Sequence, residues 1–574
     1  MKKNLKKICQ AAKTVCGSAG ALAIWTIVAI MVPNIVFCFT EPWSVAAKIA
    51  GILLPAGLYM ALLSLGRKIG RTVWCMFPFI FFSAFQIVLL YLYGESVIAV
   101  DMFLNVFTTN VAEASQLLLN LLEALAMVAI LYVVPLVWGG IAWFRSTPLP
   151  EFFRKRLRFL GVIFLCVGLI AVGSAYLFSP GYNIVRETFP LNAIDNLTEA
   201  VARTSQMRHY GETSRGFSYN AHSEADPDKR ELYILVIGET GRAMNWQLGG
   251  YGRPTNPRLS QIKGLTYFPR GFTESNTTHK SVPMLMSFAS AENFDSIYRY
   301  KSIITAFKEA GYNTAFFSNQ VPNRSYTQFF AEEADTTIYL GDKSKREVTL
   351  DGELLPLLRE TISKGAKKQL VVLHTYGSHF LYSDRYPSEM ACFTPDSRLD
   401  ANRHNRPQLI NAFDNTIRYT DFVLSEIIAM ADSADCRAAV FYSTDHGEDI
   451  FDDDRERFLH ASPVPTAYQL HVPVLCWLSK ECEDEEPRLS RIMQTHKDKI
   501  VSPQKSLFMT ALDIASISSQ YYKEEWSLCS PSYNIGTPVY LTDRNETKKW
   551  DEINLKKFDL QYLDSVCGLR NVIK

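Results

Sequence analysis

The chain changes character near residue 178. Before it, apolar residues come in long unbroken runs at about 18–40, 45–66, 72–93, 117–144 and 159–178. Each is close to the roughly 20 residues an α-helix needs to cross a bilayer. The first is too long, and has too many successors, for a cleaved signal peptide. Five such runs so close together also exceed what the buried helices of a soluble protein would supply. Beyond residue 231 the apolar runs shorten and alternate with amphipathic stretches. The pattern predicts strands at 232–238, 313–317, 369–374, 438–443 and 472–477, and helices at 257–263, 282–289, 301–311, 351–363, 408–431 and 503–516. Such alternation predicts a mostly parallel sheet covered on both faces. A polar stretch separates the two parts, with a helix expected over 192–206. The organisation expected is a five-helix transmembrane domain (1–178), a bridging segment (179–230) and an external α/β domain (231–574).

Charge fixes the orientation. Lys2, Lys3, Lys6, Lys7 and Lys13 precede the first run. Arg67, Lys68 and Arg71 fill the second connection, and Arg145, Arg154, Lys155, Arg156 and Arg158 fill the fourth. The first and third connections, 40–44 and 94–116, hold no Lys or Arg. Positive charge stays on the cytoplasmic side, so the N-terminus is expected inside and everything after Phe178 outside. Within the third connection, Met102, Phe103, Val106 and Val111 are spaced for one helix face, with Asp101, Asn105, Asn110 and Glu113 as polar partners. An interfacial helix fits that pattern. A net charge of +1 and a pI near 7.5 leave no global field to draw nucleic acid. The eleven cysteines show no CxxC or Cys/His metal spacing. An external compartment permits disulfides, whose pairing the sequence leaves open.

Three stretches carry candidate chemistry. In 231–260, the strand-like run Leu232–Ile237 ends at Gly238 and is followed at once by Glu239, where α/β sheets bind ligands. In 438–449 (AAVFYSTDHGED) another buried strand ends in Asp445, His446 and Glu448. Asp and His side by side, with Glu239 from a neighbouring strand, suit Zn²⁺, with Mn²⁺ as the alternative. In 272–288 (FTESNTTHKSVPMLMSF) hydroxyls crowd ahead of Val282-Pro283, where the proline marks the first turn of a helix. A hydroxyl there meets the positive end of the helix dipole, and a metal would turn it into a nucleophile toward phosphorus. The pattern alone does not choose among the hydroxyls. His374, His379 and His460 stand in loops that follow strands or an acidic segment; each alone is more often structural than catalytic.

Taken together, five short motifs occur in order: Gly238-Glu239-Thr240, Ser281-Val282-Pro283 behind a threonine, Gly377-Ser378-His379 ahead of Arg385-Tyr386-Pro387, Thr444-Asp445-His446-Gly447-Glu448, and Leu459-His460. In this combination the chain resembles the membrane-bound phosphoethanolamine transferases of Gram-negative bacteria, which include lipid A-modifying and polymyxin-resistance enzymes. The resemblance runs over nearly the whole chain. It implies an α/β domain of the alkaline phosphatase/sulfatase type on five membrane helices, in the inner membrane with the catalytic domain in the periplasm. It implies zinc held by Glu239, Asp445, His446 and Thr278, the last also the nucleophile that becomes phosphorylated. His379 and His460 are implied to hold the phosphoryl group or a further zinc and to assist proton transfer. Asn319 and Glu448 are implied to contact phosphoethanolamine, and Asn105 and Glu113 to line a lipid pocket. The implied reaction moves phosphoethanolamine from phosphatidylethanolamine to lipid A, a lipopolysaccharide core sugar or another envelope glycan, through a zinc-bound phosphothreonine.

The chain departs from that family in three places. Glu274 and Met284 stand where the lipid A enzymes carry a pair of cysteines flanking the nucleophile. The lysine expected after the asparagine is missing, with Arg324 nearby. Cys392 is single where the family often has two. Two other readings compete: a phosphoglycerol transferase or sulfatase-like hydrolase on the same fold, and a catalytically silent envelope binding protein. Val282-Pro283-Met284 lacks the Cys/Ser-x-Pro-x-Arg context of a sulfatase nucleophile.

Overall fold

The computed structural model describes residues 19–94, 96–108, 121–341, 349–397 and 401–567. Asn110, Val111 and Glu113 of the expected interfacial helix lie outside that set. The chain forms two compact units, one of residues 1–103 and 117–201, the other of residues 104–116 and 202–574.

Among the described residues of the first unit, four helices are long and apolar enough to cross a membrane: α1 (Ala19–Thr40), α2 (Val45–Leu65), a third at Leu122–Phe144 and a fourth at Glu151–Phe178. A fifth span arises if α3 (Ile69–Cys75) and α4 (Phe77–Tyr93) count as one, bent by 56° at their junction. Pro78 explains the bend, because it has no N–H for the preceding turn and its ring crowds the carbonyl four residues back. In chain order α5 (Val100–Thr108) follows, then α6 (Leu122–Phe144) and α7 (Glu151–Phe178). The last begins earlier than its apolar run, so that the basic residues 154–158 are helical and Arg158 donates to the Ser64 carbonyl at 3.2 Å. Glycines set the closest approaches: a Cβ on Gly57 would lie 2.9 Å from the Gly161 carbonyl oxygen. Small residues are what lets helices in lipid touch backbone to backbone. Polar side chains here are spent on backbone, as where Asn34 donates to the Gly51 and Phe189 carbonyls at 3.0 and 2.8 Å.

The second unit is built on a seven-stranded sheet. In chain order its strands are β1 (Glu231–Gly238), β2 (Leu265–Phe268), β3 (Asn313–Ser318), β4 (Thr336–Tyr339), β5 (Lys368–His374), β6 (Arg437–Thr444) and β7 (Val474–Leu478). Their order across the sheet is β2-β7-β6-β1-β5-β3-β4. The five from β6 to β4 are parallel, while β7 runs antiparallel to both β6 and β2. Strand β1 is buried along its whole length because successive side chains enter different cores. Tyr233, Leu235 and Ile237 pack on one face, Leu232, Ile234 and Val236 on the other. Each such side chain contributes about 1.5–3 kcal/mol by leaving water. One face is covered by α9 (Thr278–Met286), α10 (Ile303–Glu309) and α13 (Pro503–Ile514), the other by α11 (Leu354–Ser363) and α12 (Arg406–Asp432). The helix expected over 192–206 is present as Leu191–Arg208 (α8).

Two expectations need correction. The segment 257–263 is not a helix but a single 3-10 turn, Leu259–Gln261, because Asp421 takes the N–H groups of Arg258 and Leu259 at 3.1 and 2.9 Å. Pro283 does not open its helix either. The helix begins five residues earlier at Thr278, and Pro283 sits in its second turn.

Candidate active site and metal centre

The register of the parallel strands decides which side chains meet. Gly238 pairs with Thr444, and Ile237 and Ser318 both pair with His374, so β6, β1, β5 and β3 end level with one another. The next residues emerge side by side: Asp445 and His446 after β6, Glu239 after β1, Thr375–His379 after β5, and Asn319 and Gln320 after β3. Thr240 turns the chain with φ at +60°. Its N–H is thereby aimed at Asp445 Oδ1 (3.0 Å) and its hydroxyl at Glu239 Oε1 (2.9 Å). Two glycines allow the close packing. A Cβ on Gly447 would lie 2.2 Å from the Tyr468 carbonyl oxygen. One on Gly377, itself at φ +52°, would lie 2.5 Å from that of Glu239.

Glu239, Asp445 and His446 offer ligand atoms within 4.8 Å of one another, and all three are buried. Nδ1 of His446 bonds the Gly447 carbonyl at 3.0 Å and so carries the proton. Nε2 then presents a lone pair, 3.1 Å from Asp445 Oδ2 and 3.7 Å from Glu239 Oε1. Asp445 Oδ2 is buried without a hydrogen-bond donor. Three acceptors facing each other out of water are unfavourable until a cation joins them. Oxygen, oxygen and imidazole nitrogen form a donor set that suits Zn²⁺. The residues present therefore fit such an ion.

Electrostatics agree. Burial pushes the Glu239 carboxyl well above the usual carboxylate range, and the charge of Asp445 pushes it the same way. Burial raises Asp445 to about 6. It also holds the His446 imidazole well below its ordinary value, with His460 adding to the effect. A cation among these groups would draw both carboxyls back down.

Thr278 joins this cluster. Its Oγ1 lies 3.1 Å from Glu239 Oε1 and 3.1 Å from His446 Nε2. It is the first residue of α9, at the positive end of the helix. Thr277, the N-cap by backbone geometry, makes no side-chain cap; its hydroxyl faces Ser275 Oγ at 3.1 Å. The structure thus separates two adjacent hydroxyls that the sequence pattern left together. The segment leading to Thr278 is stitched down along its length. Thr273 donates to the Asp445 carbonyl (2.6 Å), and Asn276 donates to Ser462 O (2.9 Å) and Gln469 Oε1 (2.6 Å).

Both candidate histidines flank the cluster. The His460 ring centroid is 4.0 Å from that of His446 and 6.5 Å from that of His379. Burial, then Arg385, then His460 bring His379 down to about 3. Arg385, named in the sequence only as part of a motif and given no role there, clamps this loop by donating to the carbonyls of His379 (2.8 Å) and Phe380 (3.0 Å). Glu448 is fully buried, takes the Tyr382 hydroxyl, and lies 3.7 Å from His460 Nδ1; burial raises its carboxyl. Asn319 turns its amide to Asp351 Oδ1 (2.8 Å) and Thr349 O (2.9 Å), and its neighbour Gln320 reaches Glu239 instead. Asn105 is half-buried on α5, beside Leu104, which lines a cavity with His279, Lys280 and Tyr298. His374 is buried on β5, its Nδ1 3.2 Å from Ser318 Oγ. Glu113 lies outside the described residues. Gln320 was missed, and Thr240 was named only as part of a motif, because neither amide nor hydroxyl carries a metal signature in sequence.

Comparison with known proteins bears on this site. The sulfatase family profile matches residues 231–517, half of the chain. The phosphoethanolamine transferase EptA of Escherichia coli is 27% identical over 474 residues, 79% of this chain and 84% of that protein. The Kdo(2)-lipid A phosphoethanolamine 7''-transferase of Salmonella typhimurium is 30% identical over 274 residues, 46% of this chain and 47% of that protein. Among solved structures, the integral membrane lipooligosaccharide phosphoethanolamine transferase A (EptA) of Neisseria meningitidis matches 89% of this chain and 98% of its own. Its TM-score is 0.67 at 21% identity, a likeness of fold. The C-terminal periplasmic domain of EcEptC from Escherichia coli, solved in complex with Zn, matches 59% of this chain and 97% of its own. There the TM-score is 0.53 at 25% identity.

Proposed function

This chain belongs to the sulfatase family, and we propose that it transfers phosphoethanolamine from phosphatidylethanolamine to a lipopolysaccharide acceptor, lipid A or a core sugar, through a phosphothreonine on Thr278. The observation that carries the reading is the Thr278 hydroxyl, 3.1 Å from both a carboxylate and an imidazole of a buried acceptor cluster. The names of the relatives supply the transferred group and the class of acceptor, and the zinc-bound relative supports the choice of ion.

Zinc, held by Glu239, Asp445, His446 and Thr278, would supply the positive charge that stabilises a threonine alkoxide and the oxygens of the phosphoryl group. The chain's own residues do the rest. His379 or His460 takes the Thr278 proton as Oγ1 attacks phosphorus. The new Oγ1–P bond displaces diacylglycerol, whose oxygen leaves with a proton delivered by His379 or His460. In the second half the acceptor oxygen loses its proton to one of the same histidines and attacks phosphorus. The Oγ1–P bond breaks, and Thr278 recovers its proton. Water is kept out by the burial of Glu239, Asp445, His446 and Glu448. On the resemblance, Asn319, Glu448, Asn105 and Glu113 are assigned to the substrate side. We place the protein in the bacterial inner membrane with the second unit periplasmic, on the charge pattern of the connections and the periplasmic domain of the EcEptC relative.

Thr278→Ala should abolish transfer while the protein still inserts in the membrane, since it removes little volume from a half-buried position. Wild-type protein incubated with phosphatidylethanolamine alone should gain one phosphoethanolamine on the peptide containing Thr278, read by mass spectrometry. An adduct on Thr277 or Ser281, or full activity in Thr278→Ala, would sink the mechanism.

A further inference from the structure

The geometry points to Gln320 as the residue that decides which oxygen of Glu239 faces the metal. This rests on the zinc site proposed above and adds a positioning residue to it. The two oxygens of Glu239 have different surroundings. Oε1 looks into the cluster, with Thr240 Oγ1 at 2.9 Å, Thr278 Oγ1 at 3.1 Å and His446 Nε2 at 3.7 Å. Oε2 looks the other way and accepts a hydrogen bond from Gln320 Nε2 at 3.2 Å. The same amide nitrogen donates to the Thr375 carbonyl at 3.1 Å. Both protons of the amide are thus placed, one on the ligand and one on the loop that follows β5, so the group cannot turn away without losing two bonds.

The backbone beneath Gln320 is also fixed. Its N–H donates to Ser318 Oγ at 3.0 Å, and Asn319 N–H donates to the His374 carbonyl at 2.9 Å. A Cβ on Gly341 would lie 2.7 Å from the Gln320 carbonyl carbon, so the neighbouring strand-end loop packs directly on it. A carboxylate with one oxygen tied to an amide offers the other alone to a cation. Glu239 would therefore meet the ion through Oε1 alone, the oxygen that Thr278 Oγ1 also faces at 3.1 Å. An amide is the residue type required here. A carboxylate at 320 would set like charge against Glu239 in a buried site, and a lysine would neutralise the ligand.

The test uses the full-length protein purified with its metal, stripped with a chelator and titrated with Zn²⁺ against a competing indicator. Changing outer hydrogen-bond partners of metal ligands weakens affinity about 10–100-fold, and Gln320→Ala and Gln320→Met should each fall in that range. Gln320→Met keeps the length and bulk of the side chain but has no N–H, so a packing role would leave its zinc affinity at the wild-type value. Loading with Co²⁺ adds a spectroscopic reading. Release of Oε2 should raise the coordination number and dim the visible bands of Gln320→Met relative to wild type. Wild-type zinc affinity and an unchanged cobalt spectrum in Gln320→Met would overturn the assignment while leaving the metal site standing. Failure of the wild-type protein itself to bind zinc would overturn both.

Discussion

Strand β1 carries a buried glutamate at each end, and the two ends are built on opposite principles. Glu231, 1% exposed at the N-terminal end, is surrounded by donors. The hydroxyls of Tyr312 and Tyr233 both donate to Oε2, the latter at 3.2 Å. Lys368 Nζ lies 3.7 Å from Oε1, and Arg437 donates to the Tyr233 hydroxyl at 3.3 Å. Glu239, 2% exposed at the other end, receives only hydroxyls and an amide, and its ionisable neighbours are an aspartate and a neutral histidine. A carboxylate out of water needs compensating charge or protonation. At the N-terminal end the chain supplies that charge itself. At the C-terminal end it stops one cation short, and that deficit marks the site where a single strand could otherwise be read as structural throughout.

The sharpest way to break this contrast is to remove a proposed ligand at the deficient end. Asp445→Asn should lose the bound zinc and lower transfer by about 1000-fold or more, with metal content and turnover measured on the same preparation. The zinc-free Asp445→Asn variant should not unfold, because one carboxylate fewer then opposes its neighbours. A pH dependence goes with it. Burial lifts folded Asp445 from 3.8 to about 6, so between those values the folded state binds the extra proton. A raised carboxyl subtracts stability as pH climbs through that window, and the loss is complete above it. Zinc reverses the loss, and its own affinity weakens as pH drops below about 6. The gap in melting temperature between loaded and stripped protein should therefore be wider at pH 7.5 than at pH 5. Equal gaps would mean that Asp445 is not a ligand.

A substitution at the closed end should behave in reverse. Lys368→Met removes the one ammonium that, among the described residues, lies within 4 Å of Glu231, and leaves that buried carboxylate held by two phenols. Breaking a buried pair on one side costs about 3 kcal/mol or somewhat more. The second unit should melt several degrees lower, while zinc content and turnover below the transition stay at wild-type values. A variant that loses zinc would show that the two ends of β1 are coupled.

The same contrast explains what was readable in the sequence. Strands β1, β5 and β6 were legible because burial on both faces leaves an unbroken apolar run, whichever residues they later touch. Glu239, Asp445 and His446 were legible for a related reason: ionisable groups directly after such runs are out of place unless used. Strands β2 (Leu265–Phe268) and β4 (Thr336–Tyr339) escaped notice. Each is only four residues long and lies at an edge, where pairing with a neighbour replaces intrinsic pattern. Pro283 misled in an instructive way. A proline is as acceptable in the first turn as its φ allows, but here Lys280 and Ser281 already bond the Thr277 carbonyl, at 3.1 and 3.0 Å, before the proline is reached. Gln320 was invisible because hydrogen-bond partners of a ligand are chosen by geometry across strands, not by local composition.

The smallest effect should come from the residue next to Thr278, the proposed nucleophile, and it tests where the deficient end stops. Thr277 is 2% exposed, and its hydroxyl lies 3.1 Å from Ser275 Oγ without reaching the acceptor cluster. As N-cap residue it would ordinarily donate stability by accepting an N–H of the first turn, a contribution of about 1 kcal/mol. Here that side-chain bond is absent. Thr277→Ala removes a methyl and a hydroxyl with one weak partner, and should lower stability by no more than about 1 kcal/mol. The carbonyl of Thr277, which starts the helix, is untouched by the change, so Thr278 keeps its position at the first turn. Turnover should remain within about threefold of wild type and zinc affinity should not move. A loss comparable to that of Thr278→Ala, with zinc still bound, would shift the nucleophile by one residue and extend the unsatisfied cluster into the cap of α9.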